Sequence, residues 1–162
     1  MQRVAIGRAL VRDPNIYLMD EPLSSLDAKL RESLRVELKN IQLNLGATIL
    51  YVTHDQAEAT TMADQIGVLE NGKIAQIGSP EEIYNNPNSI YVANRLGSPK
   101  INIVKNSVLN STISTNAFQL GLRPEHIKLG QGDLSASVKT VEALGAETVV
   151  ELDYNGAEIL CL

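Results

Sequence analysis

Ile16-Tyr17-Leu18-Met19-Asp20-Glu21-Pro22 decides how the rest of the chain is read. Its uninterrupted apolar run predicts a strand buried on both faces, and that strand delivers two adjacent carboxylates into a turn. Leu23-Ser24-Ser25-Leu26-Asp27 follows, after which Leu26, Leu30, Leu34, Leu38, Ile41 and Leu45 mark one face of a long amphipathic helix over Asp27 to Leu45, stopped by Gly46. Thr48 to Val52 predicts a second buried strand, ending in Thr53-His54-Asp55. Strand, long helix and strand form a βαβ unit, which implies a parallel sheet with helices on its faces. Such a sheet can bring Asp20, Glu21 and His54 to one edge.

These residue types suit hydrolysis of a metal-bound phosphate. Asp20 can hold Mg²⁺ through its water shell. Glu21 can orient or deprotonate the attacking water, and His54 can stabilise charge developing on the terminal phosphate. Each has a plainer reading: a solvated turn for Asp20-Glu21-Pro22, a surface or capping histidine for His54, a helix-start acid for Asp27, and turn residues for Ser24 and Ser25. Their joint order and spacing is what sets them apart. No G-x-x-x-x-G-K-[ST] phosphate loop occurs in the 162 residues, so the water-activating half of a nucleotide site stands without a phosphate cradle.

Upstream, Gln2 to Arg12 predicts a helix stopped at Asp13-Pro14. Downstream, a short helix is expected from Gln56 to Ala63, and Ile66–Glu70 and Lys73–Ile77 flank the hairpin signal Asn71-Gly72. Ser79-Pro80-Glu81-Glu82 opens a capped helix, and another is expected over Ser89 to Leu96. After Gly97-Ser98-Pro99 the character changes to short β-like segments, with strands at Val138–Val141, Thr148–Leu152 and Ala157–Leu160 of a small barrel or sandwich. Arg123, before Pro124, reads as a hydrogen-bonding corner residue. His126 reads as a surface histidine and Cys161 as a buried strand residue.

Composition narrows the classes. A net charge of −5, no tryptophan and one phenylalanine give no support to nucleic-acid binding. No apolar run approaches the ~20 residues of a membrane span. A hydrophobic content of 44% permits a real core, and the lone cysteine cannot form an internal disulfide. A mixed α/β protein of a reducing compartment is expected.

The motifs together resemble the C-terminal half of the ATP-binding subunit of an ABC transporter. IYLMDEP is similar to its Walker B strand, SSLDAKLR to its D-loop, YVTHDQAEA to its switch-histidine region, and MQRVAIGRALVRDP to the helix after its signature motif. Within the family, DQAEATTMADQIGVLENGKIAQIGSPEEIYNNP is most similar to importers of sugars and related solutes, of maltose or glycerol-3-phosphate type. GSPKINIV and LGLRPEHIKLG resemble the start of their C-terminal TOBE domain, an OB-like fold. Thr60 and Gln65 stand where such importers commonly carry Met and Arg.

The resemblance implies an α/β fold: a partial P-loop NTPase (RecA-like) parallel sheet with flanking helices over residues 1–97, then a partial OB-like/TOBE barrel over 98–162. It implies ATP and Mg²⁺ as cofactors, Asp20 for the metal, Glu21 as catalytic base and His54 as the γ-phosphate switch. Ser24, Leu26 and Asp27 would lie at the nucleotide-side interface with a second ATPase subunit. Further implied partners are transmembrane permease subunits and a separate solute-binding protein, with no nucleic acid. The location would be peripheral, on the cytoplasmic face of the membrane. The match starts after the expected signature and stops inside the regulatory domain, so the chain alone is expected to be inactive. The alternatives are a non-catalytic regulatory or dimerisation fragment of such a subunit and a DNA-repair or chromosome-structure ATPase.

Overall fold

The computed structural model describes residues 2–12, 14–109 and 117–162. Asp13, half of the expected stop signal, lies outside them. The chain divides into two compact units, 1–66 and 67–162.

In the first unit, α1 spans Gln2–Leu10, β1 Ile16–Asp20, α2 Ala28–Leu45, β2 Thr48–Val52 and α3 Gln56–Met62. Helix α1 ends two residues short of the expected Arg12, because Arg12 N–H bonds back only three residues to the Ala9 carbonyl and tightens the last turn. Asp27 caps α2 by accepting from Leu30 N–H at 2.9 Å, and Gly46 closes it.

Strands β1 and β2 pair in parallel with Ile16 opposite Thr48 and Asp20 opposite Val52. The parallel βαβ unit is therefore present, as one pair of strands among the described residues. The expectation of strands buried on both faces is corrected. Tyr17 and Met19 are buried on one face, while Ile16, Leu18, Leu50 and Val52 lie exposed on the other. Only one side of the pair is covered, and the period-2 pleat then sorts the apolar run into a buried and an open row. Of α2, Leu38 is the residue that is buried.

In the second unit, β3 (Ile66–Glu70, its first residue in the first unit) and β4 (Lys73–Gly78) form the expected hairpin. Asn71 and Gly72 both take positive φ, 49° and 77°, as a two-residue turn matching the strand twist requires. Helix α4 (Pro80–Asn85) starts with a full capping box between Ser79 and Glu82. Helix α5 covers only Ile90–Ala93, shorter than the expected Ser89–Leu96. The Asn94 side chain donates to the Ile90 carbonyl, and Arg95 N–H reaches back three residues to Val92, so the helix closes there.

The C-terminal strands are β5 (Asn102–Lys105), β6 (Gln119–Leu122), β7 (Ser137–Ala143), β8 (Thr148–Tyr154) and β9 (Ala157–Cys161). β5 pairs antiparallel with β6, and β7, β8 and β9 form an antiparallel meander in that order. Asn102 ties the two sheets: its amide donates to Leu122 and Leu160 carbonyls and accepts from Leu160 N–H. Val104, Leu109, Val150, Leu152, Ile159 and the buried thiol of Cys161 form the core.

Arg123 is the corner residue the sequence suggests. It is only 6% exposed. Its guanidinium donates to the backbone carbonyls of Tyr84 at 2.6 Å, Leu96 at 2.7 Å and Ala93 at 3.4 Å, and lies 3.7 Å from the centre of the Tyr84 ring. The Tyr84 hydroxyl donates to Glu125. A side chain at Gly97, where φ is 113°, would meet the guanidinium at 2.9 Å, so glycine keeps that space open.

Candidate active site at the strand ends

The parallel register carries Asp20 and Val52 to the same level, so the residues after them leave the sheet at one edge. Glu21 N–H donates to the Val52 carbonyl at 2.9 Å, which extends the ladder by one step into the turn. There the backbone of Glu21 takes φ 43°, a left-handed conformation that costs a non-glycine residue about 1–2 kcal/mol. Ser24 closes the turn by donating its hydroxyl to the Glu21 carbonyl at 2.9 Å.

Glu21 and His54 meet. His54 Nδ1 lies 2.9 Å from Glu21 Oε1, and both side chains stay largely open to solvent. The hydrogen bond to Glu21, followed by its charge, raises the His54 pKa above its ordinary value of 6.5. The raised value means that protonated His54 favours the folded state. That contribution is complete below 6.5, the unfolded value, and disappears as pH rises through the higher folded value. Titration of His54 by ring NMR is expected to give a midpoint above 6.5, and Glu21→Gln to move it down. A midpoint at or below 6.5 with unchanged Glu21→Gln would break the pair.

Asp20 is exposed, and its carboxylate has no side-chain partner among the described residues. No group of three His, Cys, Asp or Glu residues with metal-site geometry occurs among them. An exposed carboxylate of this kind is a donor that Mg²⁺ would take alongside waters and substrate phosphates. Ser24 and Asp27 are exposed and Leu26 half-buried on the segment between Glu21 and α2. In this chain their visible roles are local: Ser24 closes the Glu21 turn, Leu26 N–H bonds the Leu23 carbonyl, and Asp27 caps α2.

Two residues of this region were not singled out by sequence. Glu58 is 3% exposed and accepts from Tyr51 Oη at 2.9 Å and Thr53 Oγ1 at 2.7 Å. Burial and then the bond to Glu58 push the Tyr51 phenol far up, which keeps it a neutral donor. Asp55-x-x-Glu58 has the form of a capping box, which predicts an outward glutamate. Asp55 does cap α3 through Ala57 and Glu58 N–H, but Glu58 turns inward to the strand. Arg31 is the second, donating to the Leu26 carbonyl and reaching Asp55.

Comparison of the sequence with known proteins places the chain in a class. The TOBE domain family model matches residues 120–162. The chain is 45% identical to the sn-glycerol-3-phosphate import ATP-binding protein UgpC of Vibrio vulnificus, over 96% of its own length and 47% of the relative's. It is 42% identical to the xylose/arabinose import ATP-binding protein XacK of Haloferax volcanii, over 94% and 46%. It is 41% identical to the sulfoquinovosyl glycerol transport ATP-binding protein SmoE of Agrobacterium fabrum, over 98% and 51%. The chain is thus a relative of the ATP-binding subunits of ABC importers. Within them it is similar to the sugar and glycerol-3-phosphate type, with a TOBE domain at its C-terminal end. It spans about half the length of the curated relatives it matches.

Proposed function

We propose that this chain supplies the hydrolytic half of an ATPase subunit that energises import of a small solute, a carbohydrate or glycerol-phosphate compound. The observation that carries the reading is the 2.9 Å pairing of Glu21 with His54 at the ends of two parallel strands. The activities for which these relatives are named support the transport context. Residues 1–97 form the ATPase half of a P-loop NTPase sheet and 98–162 the regulatory domain. This is a division by family likeness, whereas compactness groups 67–97 with the C-terminal strands.

Glu21 takes the proton of the attacking water, His54 donates to the γ-phosphate, and Asp20 holds Mg²⁺ through its waters. Magnesium, when bound, neutralises charge on the phosphates. Ser24, Leu26 and Asp27 face a second ATPase subunit across the nucleotide. The subunit sits peripherally on the cytoplasmic face of the membrane against transmembrane permease subunits, and a separate solute-binding protein joins through the complex. Among the described residues no helix is long and apolar enough to cross a membrane.

The reading is tested by ATP-dependent uptake of labelled sugar or glycerol phosphate in cells that lack, and then regain, a full-length subunit carrying this stretch. Uptake that does not depend on that subunit would contradict it. The 162 residues contain no phosphate loop, and ATP affinity in such proteins comes largely from that loop's amides and lysine. Calorimetry on the 162-residue chain is therefore expected to show no saturable Mg-ATP binding, which also suits a non-catalytic regulatory role for the chain by itself. Micromolar binding with steady turnover would overturn this expectation.

A further inference from the structure

The Glu21–His54 contact is a single bond between two exposed side chains, and such pairs contribute little in water. The β1–β2 ladder and the Glu21 N–H bond to Val52 set the two backbones side by side, but they do not fix the turns beyond, from which the Glu21 and His54 side chains project. We propose that Arg31 is a positioning residue that fastens the turn carrying Glu21 to the turn carrying His54.

Arg31 sits in the first turns of α2 and spans both sides. Its Nη2 donates to the Leu26 carbonyl at 3.0 Å and, more loosely, to the Ser24 carbonyl at 3.5 Å. Its Nη1 reaches Asp55 Oδ2 at 3.5 Å. Each partner is anchored in turn. Ser24 holds the Glu21 carbonyl. Asp55 uses its other oxygen to cap α3, accepting from Ala57 N–H at 2.8 Å and Glu58 N–H at 3.2 Å. Its own N–H donates to Thr53 Oγ1, whose hydroxyl donates to the buried Glu58. His54 is thus bracketed by Thr53 and Asp55, both fixed, and Asp55 is linked through Arg31 to the segment that closes on Glu21.

A planar fork suits this task, because one group must serve backbone carbonyls in one direction and a carboxylate in another. The Arg31 and Asp55 side chains are 31% and 27% exposed, less open than the pair they position. Lysine, a point charge, can hold one side or the other but not both. The catalytic meaning of this clamp rests on the function proposed above; the clamp itself does not.

The test reads the His54 ring by ¹⁵N NMR in the 162-residue chain, at a pH where the imidazole is neutral. Glu21 accepts from Nδ1–H, so the wild-type ring is expected to hold the Nδ1–H tautomer, whereas a released imidazole reverts to the Nε2–H form favoured in solution. Arg31→Ala is expected to cut the Nδ1–H population by roughly half or more while circular dichroism shows a folded chain, and Arg31→Lys to give an intermediate loss. An unchanged tautomer in folded Arg31→Ala would overturn the proposal. If Arg31→Ala does not fold, Arg31→Lys decides: a reduced Nδ1–H population supports the clamp and an unchanged one overturns it. Unfolding of both variants would mean a merely structural role and overturn it as well. The readout needs neither ATP nor a partner, so its failure is separate from failure of the ATPase reading, which turnover tests.

Discussion

Glu21→Gln, in a full-length subunit carrying this stretch, is expected to cut ATP turnover by about 100-fold or more while ATP binding and closure of the two subunits persist. The amide cannot accept the proton of the attacking water, and a general base contributes roughly 10²–10⁴ to rate. The substitution keeps the shape of the side chain, and its carbonyl oxygen can still accept from His54 Nδ1–H. Its backbone at φ 43° is held by the Val52 and Ser24 bonds, which the substitution leaves in place. Turnover assays and nucleotide-trapping on the same preparation separate the two effects. Residual hydrolysis above a few per cent of wild type, roughly the 10²-fold floor of a general base, would remove Glu21 from that role.

Arg123→Ala is expected to produce the largest loss of stability, about 3–5 kcal/mol. The substitution leaves the carbonyls of Tyr84, Ala93 and Leu96 without their donor, and each unsatisfied buried acceptor costs on the order of 1–3 kcal/mol. It also removes the cation from the Tyr84 ring and leaves a void at Gly97. Arg123→Lys should recover only part of this, since an ammonium cannot reach three carbonyls in a plane. Urea denaturation of the chain followed by circular dichroism measures the effect. A loss below about 1 kcal/mol would show that water replaces the guanidinium without penalty.

The β1 and β2 runs show what sequence could and could not carry. Both strands, their parallel pairing and the helix between them are legible from apolar spacing and from the Asp27 and Gly46 caps. Which face is covered is not, because both rows of the run carry large hydrophobic side chains and only the neighbouring layers decide that Tyr17 and Met19, not Ile16 and Leu18, are buried. The Asn71-Gly72 hairpin was readable because two positive φ angles demand those residue types. Helix α5 stops short of the expected Leu96 because the Asn94 amide competes for the Ile90 carbonyl, an event that apolar spacing does not report.

At the site, Asp20, Glu21 and His54 were legible as strand-end residues, and two of them meet. Arg31 and Glu58 were not. Their partners are backbone carbonyls and hydroxyls whose positions follow only from the turns. Glu58 moreover carries the pattern of an exposed cap, yet it is buried because Tyr51 and Thr53 offer it two donors on the neighbouring strand end.

The central claim is that Glu21 and His54 act as one hydrolytic unit. A double-mutant cycle on ATP turnover in a full-length subunit, with Glu21→Gln, His54→Ala and the two combined, tests it most directly. The account predicts that the combined variant is no slower than the slower single one. Losses that multiply would show two residues working independently and would contradict it.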